Sequence, residues 1–217
     1  MTKPPRILLT GFDPFGGETV NPSWEAVRPL HGRMAGGHRI VAMQLPTEFT
    51  ASLKALRRAL REVRPAIVLG VGQAGGRSRL SIERVAINVN DARIPDNAGE
   101  QPVDEPVITG GPAAYFSGLP IKAMFAALHK EGLPAEVSNT AGTYVCNHVA
   151  YAMAHYSAAQ RGVRTGFLHI PFLPGQAVTH PHAPSMSLED VRRGILVILR
   201  TAARIQSDAR VPAGAIS

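Results

Sequence analysis

Short, mostly apolar runs closed by Gly or Pro alternate along this chain with stretches whose apolar residues recur every three or four positions. Arg6–Thr10 (RILLT), Ala66–Gly70 (AIVLG) and Thr165–Ile170 predict buried strands, joined by His38–Leu45 and the shorter Ala135–Asn139. Leu53, Leu56, Leu60 and Val63 share one helical face, so the Thr47–Val63 region contains an amphipathic helix that Pro65 stops. Further helices are Pro120–Lys130, ended by Gly132, Cys146–Gln160, closed near Gly162, and Leu188–Ile205, started by Ser187 and Asp190. Asn21-Pro22 opens one more, with an Asn cap and Pro at the first helical position. Leu80–Val89 alternates like a strand with a local shift of phase. The stretch 91–118 is rich in Pro and Gly and lacks periodicity, which suits a functional loop or an interface excursion. Strands alternating with helices predict a three-layer α/β/α sandwich around a mainly parallel or mixed sheet. Residues 1–206 form the expected single domain and 207–217 a frayed tail, with no internal repeats.

Charge changes this picture little. The formal net charge is +7, but the arginines are scattered and no dense Lys/Arg tract with interleaved aromatics occurs. Solvated helix faces account for that charge, and no nucleic-acid partner is expected. The amino terminus MTKPPRILLT has no apolar signal core and no run approaches a membrane span, so a soluble, cytoplasmic protein is expected. A single cysteine excludes an intramolecular disulfide framework and a multi-cysteine zinc site. His180 and His182 flank a proline and form at most a weak metal pair, so neither metal nor cofactor is expected.

Gly70, Gly72 and Gly75 match GxGxxG after a strand, with Asp91 beyond, which raises an alternative: a nucleoside- or nucleotide-handling α/β protein using the Gly70–Gly76 loop. The context opposes it. A helix should open at these glycines, yet the residues from Arg77 to Val89 alternate like a strand. Glycines there also let a loop approach a ligand or a neighbouring chain closely.

The lone cysteine, Cys146, lies where the polar loop SNTAGTY gives way to a helical pattern. Backbone N–H groups at a helix N-terminus favour a thiolate and can stabilise an oxyanion, whereas a buried structural cysteine is the competing reading. A nucleophile needs a base and a group that orients it. His148 is two positions from Cys146, so their side chains diverge on a helix. His169 ends a strand, on the rim where ligands bind in open α/β sheets. For the orienting acid the chain offers Glu83, Asp91, Asp96, Glu100, Asp104 and Glu105. Glu83 interrupts an apolar strand and would need a cationic or hydrogen-bonding partner, such as Arg84 or another arginine.

The stretches LLTGFDPFGGETVNPSWEAV, LGVGQAGGRS, IERVAINVNDARIPDNAGEQP, GPAAYFSGLPIKAM, VSNTAGTYVCNHVAY and FLHIPFLP closely resemble the pyroglutamyl peptidase I (pyrrolidone-carboxylate peptidase) family of cysteine peptidases. The resemblance runs in family order to about Pro174. It implies a Cys-His-Glu triad at Cys146, His169 and Glu83. It also implies a substrate pocket including Phe12, Phe15, Thr47, Gln73, Ile94, Tyr144 and Val145, with Arg93 close to the catalytic site. The implied activity is that of an omega peptidase, releasing an N-terminal pyroglutamyl (5-oxoproline) residue from peptides through a thioester, without cofactor or metal. The fold implied is α/β/α, in a cytoplasmic homotetramer. The family aromatic before the cysteine is often Phe, so the Tyr144 hydroxyl must find water or a partner.

Overall fold

In a computed structural model, which describes residues 3–160 and 162–214, the apolar runs assemble into one seven-stranded sheet. The strands are β1 (Arg6–Phe12), β2 (Met34–Ala35), β3 (His38–Leu45), β4 (Ile67–Gln73), β5 (Leu80–Glu83), β8 (Ala135–Ser138) and β9 (Arg164–Ile170), in spatial order β2-β3-β1-β4-β9-β5-β8. Strands β3, β1, β4 and β9 are parallel, and β5 runs antiparallel to β9 but parallel to β8. The sheet is therefore mixed, and its four-strand parallel centre puts the carboxyl ends of β1, β3, β4 and β9 on one rim.

Alternation along each strand splits the core in two. Ile7, Leu9, Ile67, Leu69, Val71, Leu168 and Ile170 pack on one face under α1 (Pro22–Val27), α3 (Ile121–Lys130) and α6 (Leu188–Arg204). Leu8, Phe12, Val68 and Phe167 pack on the other face under α2 (Phe49–Val63) and α4 (Val145–Ala158). Two buried faces explain why these strands read as continuous apolar runs.

Four features depart from the sequence expectations. The phase shift in Leu80–Val89 is a change of sheet: β5 ends at Glu83, and β6 (Val85–Ile87) leaves to pair with β7 (Ala114–Phe116) in a separate two-stranded sheet. The predicted strand Ala66–Gly70 runs on to Gln73, so Gly70 and Gly72 lie inside β4 and Gly75 just beyond it. The short helix α5 (Pro174–Ala177) and the two-residue strand β2 carry too few residues for a periodic signal. In the expected frayed tail, Asp208 accepts from the backbone N–H of Lys122 and Ala123 at 3.0 Å, capping the start of α3. The tail is thus held at least that far; its last three positions, 215–217, lie outside the described residues.

Asp96 both braces the 91–118 excursion and ties it to α2. Its Oδ2 accepts from Phe49 N (2.7 Å), and its Oδ1 accepts from Ala98 N and Glu100 N (both 2.8 Å). Glu48, at the cap position of α2, makes no capping bond of its own. The excursion supplies that cap from 47 positions away.

Candidate active site

Gly72 decides where the sulfur sits. A methyl group on it would lie 2.7 Å from Cys146 Sγ and 3.0 Å from Phe167 ring carbons. Gly70 is similarly filled by Phe167 and Met153, and Gly75 by Phe172. The glycines make room for side chains, and no helix follows them, so the nucleotide-loop alternative is not supported. Gly72 is the register partner of His169 across β4 and β9. Adjacent strands lie about 4.8 Å apart, so the sulfur occupies the sheet position beside the imidazole.

Cys146 is the second residue of α4. Tyr144, at the cap position, makes no side-chain cap bond, and the first closed turn is His148 N to Tyr144 O at 3.1 Å. The N–H groups of the residues before His148 have no acceptor within the helix and point toward the rim. His148 itself turns away: its ring lies edge-on to Phe49, with Nε2 3.0 Å from Phe49 O and Nδ1 2.9 Å from the Asn90 side chain.

His169 Nδ1 is 2.7 Å from Glu83 Oε1. In the antiparallel pairing of β5 with β9, Ser81 stands opposite His169, and Glu83 is its diagonal neighbour on the same face. With Nδ1–H donating to the carboxylate, a neutral ring keeps its lone pair at Nε2, as a general base requires. Burial holds the His169 imidazole below its ordinary 6.5, and Glu83 opposes that shift. Burial likewise pushes the Cys146 thiol up to about 12, with Glu83 adding to the shift and Arg77 opposing it. Desolvation thus opposes the thiolate that the helix N-terminus favours at this half-buried cysteine. A helix terminus is worth about 0.3–1 kcal/mol to a charge, whereas desolvating an ion costs on the order of several kcal/mol.

The other residues implied by resemblance divide into four groups. Phe12 (buried, 6.3 Å from Phe167), Phe15 (6.0 Å from Tyr144), Val145 and Tyr144 surround the start of α4. Thr47 is buried at the end of β3, bonded through N to Asp13 Oδ1 and through Oγ1 to Asp13 O. Ile94 and Arg93 lie exposed on the excursion, and the Tyr144 hydroxyl donates to Pro95 O (3.1 Å), drawing that loop to the same rim. Gln73 alternates with Gly72 and so takes the opposite face. There its Oε1 accepts from Gln176 Nε2 (3.1 Å), and Gln176 also donates to Glu18. His180 is bound to Glu18 (2.6 Å) and stacked on Phe172. Among the described residues no group of three or more His, Cys, Asp or Glu is arranged to hold a metal.

A family model described as pyroglutamyl peptidase matches residues 5–205. The chain belongs to this family. It is 55% identical to the pyrrolidone-carboxylate peptidase of Yersinia pestis (strain Pestoides F) over 212 residues, covering 97% of this chain and 99% of that one. It is 50% identical to the solved pyroglutamyl peptidase I of Bacillus amyloliquefaciens, with a TM-score of 0.94 over 97% of this chain and all of that one. A mutant pyrrolidone carboxyl peptidase from Pyrococcus furiosus gives a TM-score of 0.88 at 42% identity, covering 91% and 97% of the two chains.

Several residues around the site of this pyroglutamyl peptidase family member escaped sequence reasoning. Arg77, not Arg84, is the cation on Glu83: Nη1 reaches Oε1 at 2.7 Å, while Arg84 turns to Asn139. Fully buried Asn147 exchanges bonds with the backbone of Ile87 and donates to Val89 O, fastening β6 to α4. A buried Asn beside the candidate cysteine is a signal in principle, since a helix-interior amide must find partners. Asp96, offered as an orienting acid, caps α2 instead. The Tyr144 hydroxyl has its partner in Pro95, and burial, with Asp96 and Cys146 nearby, raises its pKa to about 12, so it stays a donor.

Proposed function

We propose that this chain hydrolyses the bond after an N-terminal pyroglutamyl residue, with Cys146 as nucleophile, His169 as base and acid, and Glu83 orienting the imidazole. The observation that carries this reading is the alignment of Cys146 Sγ over Gly72, beside a His169 whose Nδ1 is 2.7 Å from Glu83 Oε1. His169 Nε2 takes the thiol proton as sulfur attacks the carbonyl carbon following the lactam ring. Because desolvation opposes both thiolate and imidazolium, proton transfer accompanies attack, and Glu83 stabilises the imidazolium it creates. First-turn N–H groups of α4 receive the oxyanion, with Arg93 as a further donor from the excursion. The C–N bond breaks, the amine leaves with the His169 proton, and water activated by the same imidazole hydrolyses the thioester to 5-oxoproline and free thiol.

Phe12, Phe15, Thr47, Ile94, Tyr144 and Val145 form the pocket in this reading. A pyroglutamyl group lacks an α-ammonium, so an apolar slot with few polar contacts suits it. Because the Gln73 side chain is engaged by Gln176, any contact it makes with the lactam requires it to release that bond. The proposal extends to a cytoplasmic homotetramer, with light scattering as the check on assembly. No helix among the described residues is long and apolar enough to cross a membrane. Hydrolysis of a fluorogenic pyroglutamyl amide by wild type and by Cys146→Ser tests the reaction. Turnover in wild type, its loss in the variant and indifference to chelator are expected. An inactive wild type, or an active variant, overturns the reading.

A further inference from the structure

We propose that Arg77 is a positioning residue of the catalytic site, its guanidinium holding the Glu83 carboxylate and the loop that delivers Cys146 in one fixed relation. This rests on the roles given above to Cys146, His169 and Glu83. Arg77 follows the glycines after β4, and its two terminal nitrogens reach different segments. Nη1 donates to Glu83 Oε1 at 2.7 Å, and Nη2 donates to Thr140 O at 2.9 Å. Thr140 lies in the loop between β8 and α4, six positions before Cys146. One planar fork thus joins the acid-bearing strand to the nucleophile-bearing loop, a geometry that an ammonium group does not reproduce.

The charge arrangement gives the clamp its purpose. The Glu83 side chain is 2% exposed and that of Arg77 is 25% exposed. With a neutral His169, the carboxylate would be a buried anion without a countercharge unless Arg77 supplied it. Donors from β9 and from the glycine loop converge on Oε1, while Oε2 is buried with no hydrogen-bond partner among the described residues. The atom that aims the imidazole is therefore pinned from two sides. Cys146 from α4 and Arg77 face the pair; Glu136 of β8 lies on the same face but is bonded to Ser81, and Arg84 is turned to Asn139. At both Cys146 and His169 the Arg77 charge opposes the Glu83 charge, favouring thiolate and disfavouring imidazolium. Without Arg77 both groups hold their protons to higher pH.

Arg77→Met and Arg77→Lys, compared with wild type, test this. The readouts are kcat and KM for a pyroglutamyl amide across pH, thermal stability, and the pH dependence of iodoacetamide alkylation. Alkylation reports on Cys146 alone, the only cysteine. For Arg77→Met, kcat falls about 10²-fold with KM little changed, as expected for a displaced catalytic group. Its acidic limb of kcat/KM moves up by about one pH unit, and alkylation at fixed pH slows about tenfold. Arg77→Lys restores the limb and the alkylation rate but not kcat. A lowered melting temperature with limb, alkylation and kcat unchanged overturns the proposal, because Arg77 would then only support the fold. If wild type lacks turnover, the peptidase reading fails by itself. The alkylation arm then decides on Arg77: slowing in Arg77→Met supports its place beside the sulfur, and an unchanged rate overturns it.

Discussion

At Cys146 the helix N-terminus favours charge and the surrounding protein opposes it. Desolvation pushes the thiol up, and the same cause holds the neighbouring His169 imidazole below its ordinary value. Buried neutral histidines also link stability to pH. His148 is pushed down to about 4 by burial, and His169 lies below 6.5. Both bind protons more weakly in the folded chain than in the unfolded one, so their contribution is complete above about pH 6.5 and is lost as pH falls through the folded values. The melting temperature should be level between about pH 7 and 8 and fall steadily from about pH 6.5 toward 4, with a shallower fall in His148→Gln. A scan of melting temperature against pH in both proteins checks this; identical profiles would assign the loss to other groups.

At the scale of elements, β4 has the central part. Its glycines read from sequence as punctuation or as a phosphate loop, because Gly has no side chain to declare which face it serves. In the fold, Gly72 is the bare position that lets α4 bring a sulfur down onto the sheet beside His169. Gly72→Ala should therefore leave the fold intact and lower kcat by about 10²-fold, since its methyl group displaces the sulfur. Circular dichroism together with amide hydrolysis measures both, and full activity would show that the sulfur sits elsewhere. Most helices and central strands were legible because a buried face imposes its period on the chain. The switch between β5 and β6 was visible only as a stumble in alternation, since pairing partners are not written in a strand's own residues.

Across the whole molecule, distant segments finish one another's helices. Asp96 caps α2, and Asp208 caps α3 across 85 positions of chain, while Arg164 donates to Ala202 O and Ile205 O at the end of α6. Through Asp208 the chain after α6 is tied to the domain at least that far. Asp208→Ala should lower the melting temperature by about 2–4 °C, the effect of losing about 1 kcal/mol of capping in a domain of this size. Calorimetry tests it, and an unchanged transition would return the tail to the frayed state read from its composition.

The sequence by itself determined the layered α/β class, most element positions and, through long family motifs, the candidate trio Cys146, His169 and Glu83. Period, composition and motif order are properties of the chain read in line. Only the tertiary structure decided that Arg77 holds Glu83, that Gln73 faces away from the sulfur, and that desolvation at the site opposes the thiolate. Each of those depends on burial and on distances between segments far apart in the chain. Desolvation and charge pairing act through space, so they become fixed only when the rim is assembled.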